Sequence, residues 1–132
     1  MLTVQVATPG DQSRQLEQLA AEYGRFSDLL STPDARLLNA NGPDGSTGTA
    51  VISPSRNEVL FLSRSMPAPP PDHVYQLWLV NSTGEHSAGV LTDSAPVLAG
   101  GVPEPQKVAV TVEPQGGSEK PTTTPVMVIT LA

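Results

Sequence analysis

With 132 residues, 38% of them apolar, and with fourteen Pro and eleven Gly, the chain has room for one domain with a modest core and many connections. Seven basic against thirteen acidic residues leave a net charge of −6 with no cluster of Lys and Arg, which excludes a nucleic-acid partner held along its phosphates. The absence of Cys excludes disulfides, thiolate metal sites, iron–sulfur clusters and Cys nucleophiles.

The first predicted element is a helix over residues 9–31. Thr8 is placed to cap it, Pro9 suits its first position, and Asp11 sits near the positive end of the dipole. Leu16, Leu19, Tyr23, Phe26 and Leu30 recur at steps of three and four and form one apolar seam. Gly24 interrupts it at a cost of about 1 kcal/mol relative to Ala, and Pro33 ends it. The seam is too short for a coiled coil, so the helix is expected to dock on the rest of the domain.

Beyond it the chain reads as short strands at 35–39, 48–53, 58–63, 74–80, 87–91, 107–112 and 126–131. Turn-rich stretches separate them: NGPDGS, SPSRN, MPAPPPD, NSTGE and GGVPEP. The predicted fold is mainly β, an antiparallel β-sandwich of about seven strands with one N-terminal amphipathic helix. Residues 1–31 are expected to form a stalk and residues 32–132 the β domain. In the strand at 74–80 both faces are apolar, with Tyr75, Leu77 and Leu79 on one and Val74, Trp78 and Val80 on the other, so it should be central and covered. In the strand at 107–112, Val108, Val110 and Val112 share one face. Lys107, Ala109 and Thr111 share the other, which is expected to be wet.

The segment VAVTVEPQGGSEKPTTTPVMVI, residues 108–129, raises the question of a ligand loop. A phosphate-binding loop needs G-x-x-x-x-G-K-[ST] running into a helix. Here Glu119 precedes Lys120, Pro121 stands where the helix would start, and Pro125 would break it again. Gly116 and Gly117 read better as a turn between antiparallel strands. His73 and His86 each follow a carboxylate, Asp72 and Glu85, but neither lies in a metal-ligand frame. There is no G-x-S-x-G elbow, and Glu58, Glu85, Glu104 and Glu113 stand in separate segments. No catalytic, cofactor or metal site is predicted, and the chain is not expected to be an enzyme. The sequon Asn81-Ser82-Thr83 matters only where the source glycosylates. No apolar run nears the roughly 18 residues of a membrane span, and the start lacks a basic region followed by an apolar core. As it stands the chain reads as a soluble piece.

Three blocks, YQLWLV (75–80), SAGVL (87–91) and VAVTVEPQGGSEKPTTTPV (108–126), occur in one order. They resemble the C-terminal extracytoplasmic domain of the anti-sigma-K factor family. The matching positions are Tyr75, Gln76, Trp78 and Leu79; Ala88 and Gly89; and Thr111, Glu113, Pro114, Gly116, Gly117, Ser118, Pro121 and Thr122. A weaker likeness covers LLSTPDARLL (29–38). The resemblance implies a parent protein that binds and silences a sigma factor through a cytoplasmic domain, followed by a single membrane helix upstream of this piece. It implies that this domain lies on the extracytoplasmic side and that regulated proteolysis releases the sigma factor, with a site-1 type protease cutting near residues 1–31. The matched residues would then be structural, Glu113 and Gly116-Gly117 shaping the turn and Tyr75 and Trp78 the core. The alternative is a free-standing secreted β-sandwich binding module that holds ligands on its loops. A hydrolase would need Ser, His and a carboxylate to converge.

Overall fold

The computed structural model of the chain describes residues 4–6, 9–92 and 95–131. Among these described residues nine strands form two antiparallel sheets. They are β1 (Val4–Val6), β2 (Arg36–Asn41), β3 (Thr47–Ser53), β4 (Glu58–Arg64), β5 (His73–Asn81), β6 (Gly84–Val90), β7 (Val97–Gly100), β8 (Lys107–Pro114) and β9 (Met127–Thr130). The five-stranded sheet has the order β1-β2-β3-β4-β7 and the four-stranded sheet β6-β5-β8-β9. All seven predicted strands are present. The two additional ones, β1 and β7, lie at the edges of the larger sheet.

Strand alternation explains how the sheets meet. Leu38 and Ala40 of β2, Ala50 and Ile52 of β3, and Val59 and Phe61 of β4 face inward. From the smaller sheet they meet Tyr75, Leu77 and Leu79 of β5, Val108 and Val110 of β8, and Met127 and Ile129 of β9. Complete burial of one such aliphatic side chain contributes about 1.5–3 kcal/mol, so this layer dominates the stability of the fold.

The opposite face of the larger sheet is apolar as well. Leu37, Val51, Leu60 and Leu62 form a second cluster with Leu19, Leu29 and Leu30. A helical segment therefore covers that face, with Leu16, Tyr23 and Phe26 half-buried against it. The expected continuous helix is broken, however. The segment comprises α1 (Pro9–Glu22), a 3₁₀ turn at Gly24–Phe26 and α2 (Ser27–Leu30). The break falls at Tyr23, with φ −122° and ψ 64°, directly before the glycine that lowers helix propensity. The hydroxyl of Thr32 donates to the Asp28 carbonyl at 2.7 Å, and the chain turns away before Pro33. The expected cap, Thr8, lies outside the described residues. Among the described residues no helix is long and apolar enough to cross a membrane.

The expectation of a wet face on β8 is overturned. Ala109, Thr111 and Glu113 are buried, Thr111 and Glu113 completely. Only the ends of the strand, Lys107 and Pro114, are exposed. A non-local segment, the connection from β8 to β9, supplies the cover.

Candidate functional site

Of the matched motif residues, Gln76, Trp78, Thr111 and Glu113 gather on the outer face of the smaller sheet, whereas Tyr75 and Leu79 face the inter-sheet core. Strand β5 is central, flanked by β6 and β8, in the register Gln76↔Thr111, Trp78↔Ala109 and Val74↔Glu113. Gln76 and Trp78 alternate with Leu77 and Leu79, so they point away from the inter-sheet core. Both are buried nonetheless, Trp78 at 0% exposure. Residues 115–126 fold back over this face as a strap.

Glu113 anchors the strap. Its Oε2 accepts from the Thr111 hydroxyl at 2.6 Å and from the Thr122 backbone N–H at 3.1 Å. Its Oε1 accepts from the Ser118 hydroxyl at 2.8 Å and from the Thr122 hydroxyl. Thr111 in turn accepts from the Trp78 indole N–H at 2.8 Å. A continuous chain of donors thus runs from the indole through a hydroxyl to a buried carboxylate. Burial alone would raise the pKa of Glu113, but the hydrogen bonds from Thr111, Thr122 and Ser118 outweigh it and lower the pKa from 4.5 to about 2. The carboxylate is therefore charged at neutral pH and neutralised by dipoles rather than by a cation. Polarised donors of this kind reinforce one another in a dry site.

A second anchor is the Gln76 carboxamide. Its Oε1 accepts from the Ser118 N–H at 2.8 Å, and its Nε2 donates to the Ser118 carbonyl at 2.9 Å and to the Ser87 hydroxyl at 2.8 Å. The side chain thus pairs with Ser118 as a neighbouring peptide group would. Such an approach needs a bare backbone beside it. Gly117, at φ 84°, provides both the turn and the space, because a Cβ there would stand 3.0 Å from Gln76 Oε1. The N–H of Gly117 closes the turn onto the Pro114 carbonyl at 2.9 Å. Farther along, the Thr123 hydroxyl donates to the Val112 carbonyl at 2.8 Å.

The other motif residues take local positions around these anchors. Gly89, at φ 112°, sits in a bulge where Leu77 pairs with Gly89 and Trp78 with Ser87, leaving Ala88 as the extra residue. Tyr75 faces the inter-sheet core, and its hydroxyl donates to the Pro67 carbonyl at 2.8 Å. Burial, aided by Asp44, raises the pKa of that phenol. Leu79 lies in the inter-sheet core, Pro114 ends β8, and Pro121 is half-buried in the strap.

The candidates for chemistry do not converge. His73 opens β5 in an exposed position, with Nδ1 2.7 Å from the Pro71 carbonyl. His86 lies on β6, with Nε2 2.8 Å from the Thr83 hydroxyl and 3.1 Å from Asn81 Oδ1. Asn81, the sequon residue, donates to the Pro103 carbonyl at 2.9 Å. Glu58 is paired with Arg56 at 2.8 Å, far along the chain from Glu113's network. Among the described residues no three His, Asp or Glu come together as metal ligands would. A cleft of about 580 Å³ is lined by Met66, Pro67, Pro69, Val74, Tyr75 and Leu91, with no carboxylate, His or Lys in its walls. The strap is a connection, and the polar groups inside it are satisfied by one another.

Over residues 1–126 the chain matches the family model described as anti-sigma-K factor rskA, C-terminal. It belongs to that family. The match takes in the helical segment and the strands from β1 to β8 and ends just before β9. Among its relatives is an uncharacterized protein in the phr 5′ region of Streptomyces griseus, 37% identical over 120 residues, which are 88% of this chain and 50% of the relative. An anti-sigma-K factor RskA of Mycolicibacterium vanbaalenii is 38% identical over 100 residues, covering 72% of this chain and 42% of the relative. An anti-sigma-K factor RskA of Mycobacterium tuberculosis (strain ATCC 25177 / H37Ra) is 34% identical over 102 residues, covering 73% and 44%. The chain thus spans half or less of the length of these relatives. No solved structure matches it.

Proposed function

We propose that this chain is the extracytoplasmic domain of a membrane-anchored anti-sigma factor, and that it governs when a protease reaches the parent protein. The parent would bind a sigma factor through a separate cytoplasmic domain and release it after regulated proteolysis, the first cut falling near residues 1–31. Family membership supports the anti-sigma reading, and relatives at least twice as long as the matched region leave room for the other parts.

One observation carries the assignment of a gating rather than a chemical role. Six of the matching residues, Gln76, Trp78, Thr111, Glu113, Ser118 and Thr122, are spent on closing a strap over the outer face, and their donors and acceptors are engaged with one another. A catalytic or ligand site keeps such groups available to a substrate. A regulatory domain of this kind needs a rigid body beside a segment that opens.

The placement is tested by fusing alkaline phosphatase or β-galactosidase after Ala132 in the full-length protein. An active phosphatase with an inactive β-galactosidase is the expected result. The reverse pattern rejects the extracytoplasmic placement, and a mature domain found free in the medium moves the secreted binding module to first place.

A further inference from the structure

We infer that the helix Pro9–Glu22 forms a releasable flap hinged at Tyr23–Gly24, and that its opening presents the backbone around residues 23–26 to an endopeptidase. The inference rests on the proteolysis reading above and adds to it the place and the physical cause of susceptibility.

The helical segment is held unevenly. In α2, four residues long, Leu29 and Leu30 are 2% and 3% exposed. In α1, Leu19 is buried, whereas Glu17, Gln18 and Ala21 are exposed and Leu16 and Ala20 only half-buried. Beneath α1 lies a crevice of about 150 Å³, lined by residues that include Gln15, Gln18, Leu19, Leu37, Thr49 and Leu62. Side chains around such a gap forgo contacts that a filled core would give them. The strand preceding the helix, β1, is three residues long, lies at the edge of its sheet and pairs with β2.

The hinge is marked by the backbone. At Tyr23 the chain leaves helical geometry, and the 3₁₀ turn that follows has no side-chain cap at its start. Gly24 is exposed, with no atom within 4 Å of where a Cβ would lie. Opening at this point leaves the inter-sheet core in place, since among the described residues its members lie at or after Leu38. The Leu29 and Leu30 anchors stay in place below the hinge. Such a segment opens by itself at low free energy, independently of global unfolding. Endopeptidases bind extended backbone, and when opening is fast the rate of cutting follows the open population. A folded hairpin such as β5–β6 offers no such backbone.

The test is limited digestion of the full 132-residue chain with a trace of proteinase K, the fragments being identified by mass spectrometry. The first cut is expected between residues 20 and 28, leaving a stable fragment that runs to the C-terminus. Leu19→Ala should speed that cut by tenfold or more, since Leu19 is the buried side chain among those described in α1. Gly24→Ala, which fills open space, should slow it by roughly fivefold through helix propensity and does not depend on tolerance of a core truncation. A first cut in 66–72 or 115–125, or an unchanged rate in both variants, overturns the inference. A hinge that is cut in the purified chain, while the parent stays uncut in cells under inducing conditions, rejects the proteolytic function and leaves the flap standing.

Discussion

Replacing Glu113 by Gln tests the strap at its anchor. The variant keeps the shape and one acceptor oxygen but puts an NH₂ group in place of either Oε1, which accepts from the Ser118 and Thr122 hydroxyls, or Oε2, which accepts from the Thr111 hydroxyl. The hydroxyls facing the NH₂ must turn to accept, and the Thr122 N–H, 3.1 Å from one oxygen and 3.3 Å from the other, keeps only the one that remains. The depression of the pKa from 4.5 to about 2 corresponds to about 3 kcal/mol of stability carried by the ionised form. Because the folded-state value lies below the unfolded one, that stability is fully present above about pH 5. It drains away as the pH falls from 4.5 towards 2. Urea unfolding at pH 7 should therefore show Glu113→Gln less stable by about 2–3 kcal/mol, with a melting temperature lower by roughly 10 °C. The gap between native protein and variant should close steadily between pH 5 and pH 2. A variant within 0.5 kcal/mol of the native chain at pH 7, or a gap independent of pH, would refute the role given to this carboxylate.

Three further outcomes follow from the same geometry. Gly117→Ala should cost about 1–2 kcal/mol in thermal unfolding, since it combines a positive φ with a Cβ 3.0 Å from Gln76 Oε1. Trp78→Phe should cost about 1–2 kcal/mol, from the lost donation to Thr111 and the smaller ring, and the lost fluorophore can be replaced by circular dichroism as the readout. Leu60→Ala, buried at 0% exposure between the larger sheet and the helical segment, should cost about 2–5 kcal/mol in urea and accelerate digestion at the hinge as well. If digestion at the hinge did not respond to Leu60→Ala, the cluster would not be what holds the segment down.

Strands bounded by turn residues were legible from sequence, β8 by its alternation and β4 and β5 by their compact apolar runs. The two that were not are β1, too short at three residues to show a period, and β7, whose Val-Leu-Ala-Gly run is followed by a second glycine and looks like loop. The outer face of β8 was misread for a different reason. Thr111 and Glu113 are polar, and polar residues on alternate positions ordinarily signal water. Here their partners arrive from Ser118 and Thr122 in a connection that is itself rich in turn residues, so the cover is invisible to local periodicity. The sequence did carry one opposing signal: the strand at 74–80, read as covered because both its faces are apolar, bears Trp78 on the same outward face as Thr111 and Glu113. The break at Gly24 was foreshadowed by propensity, while the docking of the helical segment followed from its seam of Leu16, Leu19, Tyr23, Phe26 and Leu30.

The central claim is that this domain restrains release of a sigma factor, and transcription from the sigma-dependent promoters of the parent measures it most directly. Cells whose full-length gene lacks the codons for residues 32–132, but keeps everything before them, should lose the restraint. Promoter activity is predicted to rise without an inducing signal, accompanied by a shortened form of the parent protein. Unchanged promoter activity with an intact parent would contradict the account, because the β domain would then have no part in governing the cut.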